Sequence, residues 1–125
     1  MIRIAGFVAA VLTLVWALVH AFVGGAETAT PLLHSALPEV ARGTGWLVWQ
    51  FMTGLLLVMS AMLAWGTRAR NAALLWAASA QAAMLALLGI VLVPAIGMSY
   101  GLLPQGWLFL PVALLGVVAA RGAAR

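Results

Sequence analysis

Residues 20–50 read HAFVGGAETATPLLHSALPEVARGTGWLVWQ. This is the one long polar interruption in an apolar chain. It carries both histidines, His20 and His34, both acidic residues, Glu27 and Glu39, and two of the five prolines. Its flanks have to be read as membrane-spanning helix. Of the 125 residues, 66% are hydrophobic and 6% are charged, against about 25% charged in a soluble domain. So short and apolar a chain finds its solvent in lipid.

Outward from that stretch, the apolar runs divide into four spans, at residues 4–23, 46–65, 72–93 and 106–120. The first has about 20 apolar residues, enough to cross a hydrocarbon core about 30 Å thick. Gly24-Gly25 is expected to end it, because paired glycines weaken a helix and permit a left-handed cap. The competing reading is a cleaved leader with its small-residue site at Gly24-Gly25-Ala26; the length of the run and the presence of Trp16 and His20 weigh against it. Pro94 is expected to end the third span. Residues 67–71 (TRARN) form a tight basic turn.

The polar segment at 24–45 has its own pattern. Thr30-Pro31 looks like an N-cap followed by proline at the first helical position. Leu32, Leu33, Ala36, Leu37 and Val40 then recur at helical spacing. Ser35 is expected to cap a second turn, with Pro38 and Glu39 in it. A short amphipathic helix lying at the interface is expected, with a plain loop as the alternative.

The single transmembrane domain, residues 1–125, therefore reads as an all-α bundle of four antiparallel spans. The net charge of +4 comes from arginine alone. With four spans, Arg3, Arg68, Arg70, Arg121 and Arg125 share one side, and Arg42 lies on the other beside both acids. The positive-inside rule then places both termini in the cytoplasm. Trp46, Trp49, Tyr100 and Trp107 mark the outer interface, Trp65 and Trp76 the inner one. The arginines suit anionic lipid headgroups; nothing points to nucleic acid. The expected location is a membrane, crossed several times.

Lipid gives no hydrophobic drive for helix association, so small residues and hydrogen bonds must mark the packing faces. Ala5, Ala9, Thr13, Ala17 and Ala21 make such a stripe in span one. Gln50, Thr53, Gly54, Leu57, Ala61 and Ala64 are the corresponding choice in span two, and Ala78, Ala82 and Ala86 in span three. Gln81 is read as interhelical glue.

Candidate chemistry is sparse. The chain has no Cys, so disulfides and thiolate metal sites are excluded. No Asp, Glu, Lys or Arg lies inside a span, unlike most ion pumps and proton relays. No phosphate loop, nucleophile triad or HExxH is present. His20 stands out, about one turn from the outer end of span one, at the depth of Gln50. A His20–Gln50 hydrogen bond is expected. Gln105 joins them, with Trp49, as a wall of a shallow outer pocket for a cofactor, haem or quinone, held by His20, Gln50 and Gln105. For a metal, the only available set is His20, His34 and Glu27. Haem would need His, Met or Tyr as axial ligands, and Met52, Met59, Met62, Met84 and Met98 are the methionines on offer, each also ordinary apolar filler.

His20-x3-Gly24-Gly25, Pro31-Leu32-Leu33, Arg42, Trp49 and Pro104-Gln105-Gly106-Trp107-Leu108-Phe109 together resemble an uncharacterised family of small four-span bacterial inner-membrane proteins. The resemblance covers nearly the whole chain. It implies the four-span fold and a multi-pass place in a bacterial cell inner membrane, and transfers no activity. Members often carry His after the tryptophan matching Trp49; here that residue is Gln50, which leaves a two-imidazole site incomplete. Three functions are carried forward: a non-catalytic accessory, assembly or interaction protein working with another membrane protein or as a homo-oligomer; an outer site for haem, quinone or metal using His20; and an oligomeric transporter subunit.

Overall fold

The computed structural model describes residues 2–124. Arg125, counted above among the arginines of one side, lies outside them. The described residues form helices only: α1 (Ile2–Leu18), a π-helical stretch (Val19–Ala29), α2 (Thr30–Leu33), α3 (Glu39–Ala69), α4 (Ala72–Ala95) and α5 (Gln105–Ala123). α1, the π stretch and α2 run on as one rod, Arg3–Leu33. Four rods are thus long and apolar enough to cross a membrane, as expected of an all-α multi-pass protein. In lipid every backbone N–H and C=O must find its partner within the segment, and helices achieve this.

The span boundaries differ from the expected ones at the polar segment. Gly24-Gly25 does not end the first helix. The chain keeps turning with wider, i→i−5 hydrogen bonds, of which Thr30 N–H to Gly25 C=O is one. A glycine pair can loosen a helix without breaking it when nothing competes for its backbone groups. Thr30 is likewise no N-cap: it has helical torsions, φ −67° and ψ −49°, and stands inside the rod. Ser35 closes the rod rather than opening the next one, its hydroxyl donating to Leu32 C=O at 2.8 Å. α3 begins at Glu39, seven residues before the expected start at Trp46, with Pro38 as its N-cap residue. The separate amphipathic helix expected in the outer segment is therefore absent from the described residues, its sequence divided between the ends of two long rods. Each of these rods has 31 residues, about 46 Å at 1.5 Å per residue. That exceeds a hydrocarbon core of about 30 Å, so this hairpin overhangs α4 and α5 at the end where it turns.

The other boundaries lie close to expectation. α4 continues two residues past the expected end, with Pro94 inside its last turn; the Ile90 C=O that Pro94 cannot serve accepts Tyr100 O–H at 2.6 Å instead. Gly97, at φ +74°, then provides the left-handed residue, and Met98 N–H closes the end on Val93 C=O at 3.0 Å. The basic turn between α3 and α4 is tight, with Arg70 left-handed at φ 53° and Asn71 Oδ1 capping α4 by accepting Leu74 N–H at 3.0 Å.

The rods pack in the order α1, α3, α4, α5, and α5 closes the ring against α1. The first and last helices end together, since Arg3, Gly122 and Ala123 line one hollow. The stripes expected in spans one and three are buried: Ala9, Thr13 and Ala17 in α1, and Ala78, Ala82 and Ala86 in α4. In α3 the expected face is wrong. Leu56, Met59, Ser60, Leu63, Gly66 and Thr67 face the bundle, whereas Gln50, Gly54, Leu57 and Ala61 are exposed. Contacts rather than composition select the face: Ser60 Oγ donates to Ala10 C=O at 2.9 Å, and Thr67 fills the space a side chain at Gly6 would need.

At Gly89 and Gly106 the backbones of α4 and α5 approach closely. A Cβ placed on Gly89 would lie 2.6 Å from Gly106 Cα. Two glycines thus bring the helices together beside the cavity described next.

Candidate functional site

Helical spacing places Trp16, Val19, His20, Val23, Gly24 and Glu27 along one face of the first rod. That face, the start of α3 and the residues entering α5 enclose a cavity of about 470 Å³. Trp49, Met52 and Leu56 form the α3 wall. Leu102, Pro104, Gln105, Leu108 and Phe109 form the opposite one. The overhang of the long hairpin leaves this space, and the Gly89–Gly106 contact fixes its α5 wall.

His20 organises the interior. Its ring stacks on Trp49, with centroids 4.0 Å apart and planes 11° from parallel. Its Nε2 lies 3.2 Å from Trp49 C=O. A carbonyl only accepts, so this contact puts a proton on Nε2 and leaves Nδ1 of the neutral ring as an acceptor. The same carbonyl accepts from Thr53 Oγ1 at 3.3 Å. Gly24 makes the stack possible, because a Cβ there would come within 2.8 Å of Trp49 Cζ2.

The indoles of Trp16 and Trp49 are the second feature. Both Nε1 atoms are buried, and neither has a hydrogen-bond partner in the protein. Both tryptophans line the cavity. An unsatisfied buried donor costs about 1–3 kcal/mol, and each indole N–H is a donor that still lacks an acceptor. Met52 adds a thioether, Glu27 a carboxylate and Gln105 a carboxamide to otherwise apolar walls. An apolar enclosure with a few convergent polar groups is the usual form of a small-molecule site.

The residues chosen from sequence divide. His20, Gln105 and Glu27 do share this cavity. Gln50 does not line it and is exposed; His20 bonds the Trp49 carbonyl instead of the expected Gln50 amide. Adjacent residues in a helix diverge by about 100°, so Trp49 inside places Gln50 outside. His34 lies at a separate hollow with Leu33, Glu39, Arg42 and Gly43, its Nδ1 donating to Thr30 C=O at 2.8 Å. Among the described residues no three His, Cys, Asp or Glu side chains gather as a metal cluster, so the set His20, His34 and Glu27 is not assembled. Gln81 was expected to bridge helices, yet its Oε1 is buried without a partner.

Sequence reasoning passed over Trp16, and it placed Trp49 at the outer interface and in the pocket wall without giving its indole a role; the structure does put Trp49 in that wall. The signal was present: Trp16 and His20 are four apart and share a helix face. Comparison with known proteins adds no relative, since no family model, curated protein or solved structure matches this chain.

Proposed function

We propose that this is a small multi-span protein of a bacterial inner membrane, with both termini cytoplasmic, that binds a lipid-soluble, oxygen-bearing ring compound of the quinone class in its outer cavity. The observation that carries the reading is the pair of buried indole donors, Trp16 Nε1 and Trp49 Nε1, without protein acceptors in the wall of one cavity. Quinone carbonyls are acceptors, their ring is flat and their tail is apolar. His20 Nδ1 complements them by accepting from the hydroxyl of a reduced ring. Haem or a metal fits less well: Nε2 of His20 is engaged by the Trp49 carbonyl, and His34 is at another hollow. The direction of the termini rests on the arginine distribution, and the bacterial setting on the family resemblance.

The test is titration of purified protein in lipid nanodiscs with a short-tailed benzoquinone or naphthoquinone, followed by tryptophan fluorescence. Saturable quenching at one quinone per chain is expected, weakened at least tenfold in Trp49→Phe and in His20→Leu. Quenching that rises linearly with quinone, alike in all three proteins, refutes the reading.

A second reading has its own observation. Gln50, Gly54, Leu57 and Ala61 of α3 turn away from the bundle, and a Cβ on Gly54 meets nothing within 4 Å. Small residues beside an amide are what a partner helix in a membrane packs against. This supports an accessory or assembly role with another membrane protein or a second copy, and an oligomeric transporter subunit would use the same face. The two readings occupy different surfaces and are compatible.

A further inference from the structure

At the opposite end of the bundle, the charges of the described residues have one sign. Arg3, Arg68, Arg70 and Arg121 are all exposed there, while Glu27 and Glu39 belong to the far end of the long hairpin. Arg3 of α1 and Arg68 of α3 line one hollow of about 510 Å³, together with Phe7, Trp65 and Ala69. Below it, Phe7 also lines a wholly apolar groove of about 360 Å³ with Ile4, Val8, Val11 and Leu12. Ile4, Phe7, Val8 and Val11 follow helical spacing and form one outward stripe on α1. From Arg3 to Val11 that stripe runs about 12 Å along the helix.

We infer that this end holds an anionic glycerophospholipid, its phosphate between Arg3 and Arg68 and one acyl chain along Phe7, Val8 and Val11. Three features converge on that occupant. Two guanidiniums flank one hollow and take phosphate oxygens in a forked, charge-assisted geometry. Trp65, 65% exposed, stands where an amphipathic ring meets the headgroup level. The apolar groove begins at Phe7, directly beside the charged hollow, so head and tail are served in the order in which a phospholipid presents them. A free phosphate uses the arginines and leaves the groove unused. A zwitterionic lipid uses the groove but brings its own cation to the arginines.

The site is independent of the cavity around His20, and its test needs no quinone. The protein is delipidated in a mild detergent, given equal amounts of phosphatidylglycerol and phosphatidylcholine, and examined by native mass spectrometry. One phosphatidylglycerol retained per chain is expected, in clear preference to phosphatidylcholine. Basic residues at a membrane surface contribute about fivefold each, so Arg3→Gln with Arg68→Gln should lower that preference about 30-fold. Arg121→Gln, which lines neither hollow, serves as the control and should leave it unchanged. Equal retention of the two lipids by the unaltered protein overturns the inference, with no variant required. So does displacement of the lipid by millimolar inorganic phosphate or glycerol phosphate, which would mark a simple anion site. An unchanged preference in the double variant also overturns it.

Discussion

Substituting Gly89 by alanine tests the contact that holds the α5 wall of the cavity in place. The new Cβ would sit 2.6 Å from Gly106 Cα and 2.7 Å from Gly106 N. Comfortable separation for such atoms is about 3.5–4.0 Å. Both obstructing atoms are backbone, so no side chain can swing aside, and α4 and α5 must part by about 1 Å. Overpacking of this kind costs about 1–3 kcal/mol. Alanine also has a higher helix propensity than glycine, by about 1 kcal/mol, and this partly hides the cost. Gly54→Ala removes the ambiguity, because nothing lies within 4 Å of its added Cβ. Both substitutions share the propensity gain, so the difference between them isolates the steric term. Gly89→Ala should therefore be less stable than Gly54→Ala by about 1–3 kcal/mol. The assay is equilibrium unfolding in mixed detergent micelles as the denaturing detergent fraction rises, followed by far-ultraviolet circular dichroism. Equal stabilities within about 0.5 kcal/mol would refute the glycine contact. A linked effect is expected in the cavity: Gln105 precedes Gly106 directly, so parting the helices should weaken quinone binding, while Gly54→Ala leaves it intact.

Four further outcomes are expected. Gly24→Ala brings a Cβ to 2.8 Å from Trp49 Cζ2 and should unstack His20 from Trp49, read as a change in near-ultraviolet dichroism with the helix content retained. His20→Leu removes both the stack and the bond to Trp49 C=O and should destabilise by about 1–3 kcal/mol, measured in the same micelle titration; an unchanged midpoint would count against the pairing. Ser60→Ala deletes the α3-to-α1 hydrogen bond and should cost only about 0.6 kcal/mol, the average for such bonds in membranes, so a loss above about 2 kcal/mol would mean that Ser60 does more than bridge. The chain has no native cysteine, so Gly54→Cys gives a single thiol on the outward face of α3; disulfide-linked dimers in native lipid are expected if a second copy packs there, and Met84→Cys on exposed α4 serves as comparison.

How much was legible in advance varies by helix. In α1 and α4 the small residues are the packing face, since Ala9, Thr13, Ala17, Ala78, Ala82 and Ala86 are all buried. In α3 small residues occur on two faces, and composition favoured the outward one. Its inward face is Leu56, Met59, Ser60 and Leu63, whose larger side chains fill the middle of the bundle. The candidate site was legible as a depth and a residue type. His20, Glu27 and Gln105 were correctly brought to one end, but the partner of His20 was chosen one residue too far along α3. His34 was grouped with His20 because it is the only other imidazole in the chain. In the structure the first rod continues to Leu33, so a helical length separates them.

By itself, the sequence determined the number of membrane-crossing helices, their ends away from the polar segment, and the side on which the arginines gather. These properties are local, because lipid obliges each segment to satisfy its own backbone and charges to stay at its ends. The tertiary structure alone decided the rotation of each helix about its axis, and with it the cavity. A transmembrane helix is apolar all round, so hydropathy carries no phase. The phase comes from contacts between distant residues, such as Gly89 against Gly106, Thr67 against Gly6 and Gly24 against Trp49. A shift of one residue is a turn of about 100°, enough to put Trp49 in the site and Gln50 outside it.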